Sequence, residues 1–243
     1  IRPVKDYRFA LILRGDGLSP EVSETDPQRT GMMPLPPKAL SSGARKTEEI
    51  LTKFVDISRE ILSDEERANA VLLRGISRLP RVPSVTERFG IRAAAIATYP
   101  LYRGVAKLVG MELLDTGETI QEEFECLKKH FTDDYDYFFV HIKKTDSAGE
   151  DGNLEMKVKI IEEVDKALPL LTDLTPSVLI VTGDHSTPCA MKSHSWHPVP
   201  FMLKAPLCDP DECAEFTENA CARGRLGIFP AVKIMELALA HSG

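Results

Sequence analysis

The sequence predicts an α/β protein: a mostly parallel sheet with helices on both faces, preceded by a smaller second α/β domain. Three observations lead there. From about Ile91 onward, short apolar runs of strand length alternate with longer segments whose apolar residues recur at helical spacing. Strands separated by helices cannot be joined as hairpins, so they pair in parallel and are covered on both sides. Before about residue 85 the rhythm differs, with one apolar run, a long Pro-rich stretch and a single helical pattern. This places the domains at 1–85 and 86–243.

In order, residues 7–13 (YRFALIL) have the length and composition of a strand, closed by the glycine-punctuated turn RGDGLS. Residues 19–40 carry too many prolines for a helix or central strand and form a long loop, a common location of function. Ile50, Leu51, Phe54, Ile57, Ile61 and Leu62 recur at helical spacing. Residues 70–73 have the character of a short buried strand, followed by the Pro-interrupted LPRVPS. Then come a strand at 93–98, a helix at 101–109, a strand at 111–114 and a helix at 118–131, with acids early and lysines late as the helix dipole favours. Residues 135–142 (YDYFFVHI) are aromatic and β-branched, hence a strand. A helix over 154–171, strands at 177–182 and 199–204, and a helix over 229–239 complete the chain, which shows no internal repeat.

Bulk properties narrow the function classes. A chain of 243 residues that is 43% hydrophobic builds an ordinary globular core. Its formal net charge of −7, with Lys and Arg dispersed, offers no footprint for nucleic acid or an acidic membrane. No apolar run approaches the roughly 20 residues needed to span a bilayer, and the first residues lack the features of a signal peptide. The expected location is the cytoplasm. Cys126, Cys189, Cys208, Cys213 and Cys221 are an odd number without CxxC pairs, so free thiols are expected. The chain begins at Ile1 and not at a Met, from which an upstream piece is expected.

In an open α/β sheet ligands bind beyond the carboxyl ends of the strands. Three polar clusters sit at such points. YDYFFVHI runs into KKTDSAGEDGN with Asp146, Glu150 and Asp151; SVLIVT runs into GDHSTP with Asp184 and His185; SHSWHP, with His194 and His197, precedes VPFML. Converging Asp, Glu and His form a mixed oxygen and nitrogen donor set for divalent metals, and two metals suit phosphoryl transfer. Each element alone has a plainer reading. An Asp-His pair after a strand can be a turn, and DSAGEDGN can be an acidic loop in which Asp151 or Asn153 caps the next helix. It is the joint occurrence, in order and at strand ends, that points to a metal centre.

The same residues carry a family resemblance. TGDHSTP followed by H-x-x-x-P-V-P, preceded by H-I-K-K-T-D-x-x-G-x-D-G-N and by K-V-K-I-I-E-E-V-D, resembles the archaeal-type cofactor-independent phosphoglycerate mutases of the alkaline phosphatase superfamily. The resemblance extends over nearly the whole chain, through the first strand with its RG turn, the TDP loop, N-A-V-L-L-R-G and L-Y-R-G-V-A-K-L-V-G-M. It implies an alkaline-phosphatase-like fold with 1–85 as part or all of an inserted substrate-binding domain. It also implies interconversion of 3-phosphoglycerate and 2-phosphoglycerate, with two divalent ions (Mn, Zn or Mg) and no requirement for 2,3-bisphosphoglycerate. By motif, Asp146 and His194 belong to one metal, with Glu150 where the family usually has His, and Asp184 and His185 to the other. A carboxylate there favours Mn or Mg. The nucleophilic Ser and a further Asp of the family site are expected upstream of Ile1, so this piece alone is expected to be inactive.

Arg14, Arg74 and Arg103, each beside a glycine at a turn or junction, are candidate clamps for phosphate and carboxylate, although surface arginines at turns are often simply solvated. Lys143 and Lys144, close before Asp146, are further candidates. Asp26 of the TDP loop is a candidate for the glycerate hydroxyl proton or for an Asx turn. His197 is expected outside the ligand set, and Trp196 in packing or a lid contact. A homo-oligomer is compatible with the sequence. Two other readings remain: a phosphatase or phosphodiesterase of the same superfamily, in which water takes the phosphoryl group, and a non-catalytic metal-binding module.

Overall fold

The computed structural model describes residues 1–5 and 7–242, and the chain divides into two compact units, Ile1–Arg81 and Val82–Gly243. In the first unit, β1 (Arg2–Pro3) and β2 (Phe9–Ala10) form a two-stranded antiparallel ribbon. The strand expected over 7–13 therefore shrinks to two residues. Its alternation survives, because Phe9, Leu11 and Leu13 all pack on the cluster of Val22, Ala44, Leu51 and Leu73. The expected strand at 70–73 does not form either. Leu73 is buried, but its N–H donates to the Thr25 hydroxyl at 2.7 Å while its carbonyl accepts from the Thr25 N–H at 3.0 Å, so a side chain replaces half of a ladder. The helical pattern is borne out as α1 (Arg45–Ile61), which buries Leu51.

The second unit opens with α2 (Val85–Phe89), a helix directly after the Pro-interrupted LPRVPS, where the sequence predicts no element. Ser84 and Glu87 form a reciprocal capping box, and Gly90 ends the helix at φ 71°, a left-handed turn suited to glycine. There follow β3 (Ala93–Ala97), α3 (Pro100–Leu108), β4 (Glu112–Leu113), α4 (Ile120–His130) and β5 (Tyr137–His141). These strands make a parallel sheet in the order β4-β3-β5. The central strand is entirely buried, and its alanines let α3 and α4 pack closely against it. Ile96, Leu114, Cys126 and Leu127 form the adjoining core.

Next are α5 (Lys144–Glu150), α6 (Leu154–Ala167) and α7 (Pro169–Thr172). The long helix expected over 154–171 thus ends at Ala167, because Pro169 cannot supply the N–H that would continue it. Asn153 caps α6, its side-chain oxygen accepting from the Met156 N–H at 3.0 Å. A hairpin of β6 (Leu179–Thr182) and β7 (Phe201–Lys204) is antiparallel, in contrast to the parallel pairing of β3, β4 and β5. The short α8 (Glu218–Cys221) and α9 (Ile234–Ala240) close the unit; a 3-10 turn at Ala231–Lys233 takes up the start of the helix expected from 229. All five cysteines are free thiols, and among the described residues no helix is long and apolar enough to cross a membrane.

Candidate metal centre

The segment after β5 is not the acidic loop that its glycines suggested. It coils into α5 directly after the strand, with the break deferred to Gly152 at φ 71°. Asp146 and Glu150 are consequently one helical turn apart on a single face. α5 packs against α6 through Ala148 and Ile160.

The other donors come from one connection, not from two independent strand ends. Because β6 and β7 are antiparallel, with Thr182 opposite Phe201, the C-terminal end of β6 lies beside the N-terminal end of β7. That is why His194, which precedes its strand, converges with Asp184 and His185, which follow theirs. An isolated bridge between Ser186 and Ser195, with the Ser195 N–H donating to the Ser186 carbonyl at 2.9 Å, draws the two sides of the connection together. The imidazoles of His185 and His194 then lie 4.0 Å apart between ring centres.

Asp146, His185 and His194 each present one ligand atom such that all three atoms lie within 4.8 Å of one another. His194 Nε2 is 3.4 Å from Asp146 Oδ1 and 3.5 Å from Glu150 Oε1. His185 Nε2 is 3.5 Å from Asp184 Oδ2. His185 is thus grouped with Asp146 and His194, while Glu150 lies beside His194 and Asp184 beside His185. Two imidazole nitrogens among carboxylate oxygens suit divalent cations. Such ions, when bound, neutralise phosphate oxygens and lower the pKa of a coordinated hydroxyl.

The electrostatics favour ionised carboxylates. Burial pushes the Asp146 pKa upward, but hydrogen bonds from the Lys143 ammonium and the Thr187 hydroxyl outweigh it and hold the group below its ordinary value. Asp184 shows the same balance: burial raises it, while the Tyr102 hydroxyl and nearby His185 bring it down. Tyr102 in turn is pushed well above the usual phenol value by burial and by Asp184.

The other sequence-predicted residues are placed as follows. Lys143 pairs with Asp146 and lies over the Tyr99 ring. Arg103 donates to the Ala97 carbonyl at 3.1 Å and reaches Asp115 at 3.4 Å, so it spans the carboxyl end of β3 and the chain after β4. Arg14, Arg74 and Asp26 belong to the first unit. Arg74 and Asp26 are 3.5 Å apart there, Arg14 is exposed, and Asp26 accepts from the Gln28 N–H at 2.7 Å in an Asx turn. His197 bonds to Ser195 and stacks on the exposed Trp196, apart from the grouped donors.

Three residues around the donors were not singled out from the sequence: Tyr102, Thr187 and His141. Tyr102 donates to Asp184 across 82 positions of chain. His141, at the end of β5, stacks on Tyr102 with centres 3.4 Å apart, is lowered in pKa by burial, and leaves Nδ1 without a hydrogen-bond partner among the described residues. Thr187 is 4% exposed. The one signal available in the sequence was adjacency: Tyr102 precedes Arg103, and Thr187 lies in the Asp-His motif.

A centre of Asp, Glu and His donors at the ends of strands in an α/β sheet defines a metalloenzyme. Residues 49–241 match the family model of the metalloenzyme superfamily, and the chain belongs to that family. Residues 1–68 match the model of 2,3-bisphosphoglycerate-independent phosphoglycerate mutase. The chain is 51% identical over 241 residues to a protein of Thermosipho melanesiensis named "probable 2,3-bisphosphoglycerate-independent phosphoglycerate mutase", covering 99% of this chain and 60% of the relative. A protein of Aquifex aeolicus with the same name is 49% identical over 247 residues, covering 100% of this chain and 60% of the relative. Among solved structures, the PH0037 protein from Pyrococcus horikoshii aligns with TM-score 0.76 and 28% identity over 83% of this chain and 58% of its own. The fold also matches cofactor-independent phosphoglycerate mutase from Thermoplasma acidophilum, with TM-score 0.60 and 23% identity over 94% of this chain and 60% of that one. The resemblance and α/β class expected from the sequence are borne out; the chain spans about three fifths of the length of the relatives it matches.

Proposed function

We propose that this chain supplies the metal-binding part of an enzyme that interconverts 3-phosphoglycerate and 2-phosphoglycerate by two-metal phosphoryl transfer, without 2,3-bisphosphoglycerate. The observation that carries the proposal is the meeting of Asp146, His185 and His194 within 4.8 Å, in a chain about half identical to proteins bearing that name. Asp146, Glu150 and His194 hold one divalent ion. Asp184 and His185 contribute to the second. Glu150, an oxygen donor, biases the first ion toward manganese or magnesium.

The first unit acts as the substrate domain. Arg14 and Arg74 of the first unit and Arg103 of the second carry planar guanidinium forks suited to phosphate and carboxylate, Lys143 carries a point charge, and Asp26 is the candidate for the glycerate hydroxyl proton. For Lys143 this requires exchanging Asp146 for the substrate phosphate once a cation takes its place on the carboxylate. Glycerate must reorient without water intercepting the phosphoryl group. The enzyme works in the cytoplasm.

The test is conversion of 3-phosphoglycerate to 2-phosphoglycerate by the complete protein with Mn2+ and no added 2,3-bisphosphoglycerate. Activity is expected, is lost on chelation, and falls at least about a hundredfold in His194→Ala, as removal of the electrostatic machinery of transfer does elsewhere. Release of inorganic phosphate without isomerisation would instead assign a phosphatase.

A further inference from the structure

We infer that Thr187 is a positioning residue that couples the two donor sets: its hydroxyl donates to Asp146 and accepts from the Nδ1–H of His185, leaving the Nε2 lone pair of His185 aimed at the Asp184 side. The inference deepens the metal-site reading and rests on it.

A hydroxyl has one proton to give. Thr187 Oγ1 lies 2.6 Å from Asp146 Oδ1, and an ionised carboxylate can only accept, so the proton goes there. The same oxygen lies 3.0 Å from His185 Nδ1, and with its proton spent it meets that nitrogen only as an acceptor. His185 must then carry its proton on Nδ1. The free nitrogen is Nε2, the atom 3.5 Å from Asp184 Oδ2 and the one a cation would take. One hydroxyl thereby orients a donor from each set and selects the tautomer of the second.

Thr187 is itself held from three directions. Its side chain is buried. Its carbonyl accepts from the Lys157 ammonium of α6 at 2.7 Å. Its backbone lies so near α5 that a Cβ on Gly149 would fall 2.3 Å from the Thr187 carbonyl oxygen. A rotamer fixed by its surroundings spares the ligands the entropy of finding their orientation. Serine keeps the hydroxyl, while valine keeps the shape and removes it.

The experiment compares the wild type with Thr187→Val and Thr187→Ser by two measurements. Long-range proton–nitrogen correlation spectra of histidine-labelled, metal-free protein above pH 8 report the His185 tautomer, with His185→Gln identifying the signal. Calorimetry reports Mn2+ affinity. The expected result is an Nδ1-protonated His185 in the wild type and Thr187→Ser and loss of that preference in Thr187→Val. Mn2+ affinity should fall about 10- to 100-fold in the valine variant alone, the usual cost of losing a partner of a metal ligand. A wild-type His185 protonated on Nε2, or a valine variant with unchanged tautomer and affinity, overturns the inference. If Thr187→Val does not fold, the wild-type tautomer still decides. A wild type that binds no Mn2+ removes the metal reading, and the tautomer result then judges Thr187 independently.

Discussion

Glu123 is 3% exposed on the core side of α4, and one of its carboxylate oxygens has no hydrogen-bond partner among the described residues. Burial raises its pKa from the ordinary glutamate value of 4.5 to about 7, against a smaller downward pull from Lys144. The folded chain therefore holds its proton where the unfolded chain has released it. The resulting stability is fully present below pH 4.5 and is lost as pH rises to about 7. The loss is on the order of 3 kcal/mol. Glu123→Gln, which is neutral throughout, is expected to flatten this decline and to be more stable than the wild type at pH 8, as measured by denaturant unfolding across the pH series. Carboxyl groups behave oppositely at the candidate metal centre, where Asp146 and Asp184 lie beside donors that hold them below the ordinary carboxylate value. Sequence offered the identity of all these acids but not that contrast, because the partners of Asp184 and Asp146 include Tyr102 and Thr187, far away along the chain.

Elements set where the donors point. α5 holds Asp146 and Glu150 at helical spacing, and the connection carrying Thr187 lies against it at Gly149. Gly149→Ala puts a methyl group 2.3 Å from a backbone oxygen, which no side-chain rotation relieves. It is expected to cost about 1–3 kcal/mol of stability, and to weaken Mn2+ binding by displacing the 183–200 connection from the helix. Thermal unfolding with and without Mn2+ separates the two effects: the metal-induced rise in Tm should shrink. Most elements of the second unit were legible because their signals are local. β3 is a run of alanines and isoleucine, and α4 opens with a Thr119–Glu122 capping box. α5 was misread because Gly149 within it and Gly152 just beyond it imitate a loop, whereas packing of Ala148 and Gly149 favours the helix. In the first unit, the strands expected at 7–13 and 70–73 are mostly absent because strand character needs a partner to supply the ladder.

At the scale of the molecule, the chain is two units joined near Arg81. The joining stretch has no regular structure from Gly75 to Ser84, and Leu79 is 85% exposed within it. Exposed, unstructured joints are where proteases cut first. Limited trypsin digestion is therefore expected to cleave at Arg78 or Arg81 before any site in α4 to α6, with the products identified by mass spectrometry. First cleavage within α4 to α6 would contradict the division. The sequence by itself determined the α/β class, the family resemblance, and the residue types of the donor set, since these reside in local periodicity and in motifs a few residues long. Only the tertiary structure decided that β7 runs antiparallel to β6, that this brings His194 back to Asp184 and His185, and that Thr187 lies between Asp146 and His185. Those relations depend on strand direction and on contacts between segments distant in sequence, which no local pattern encodes.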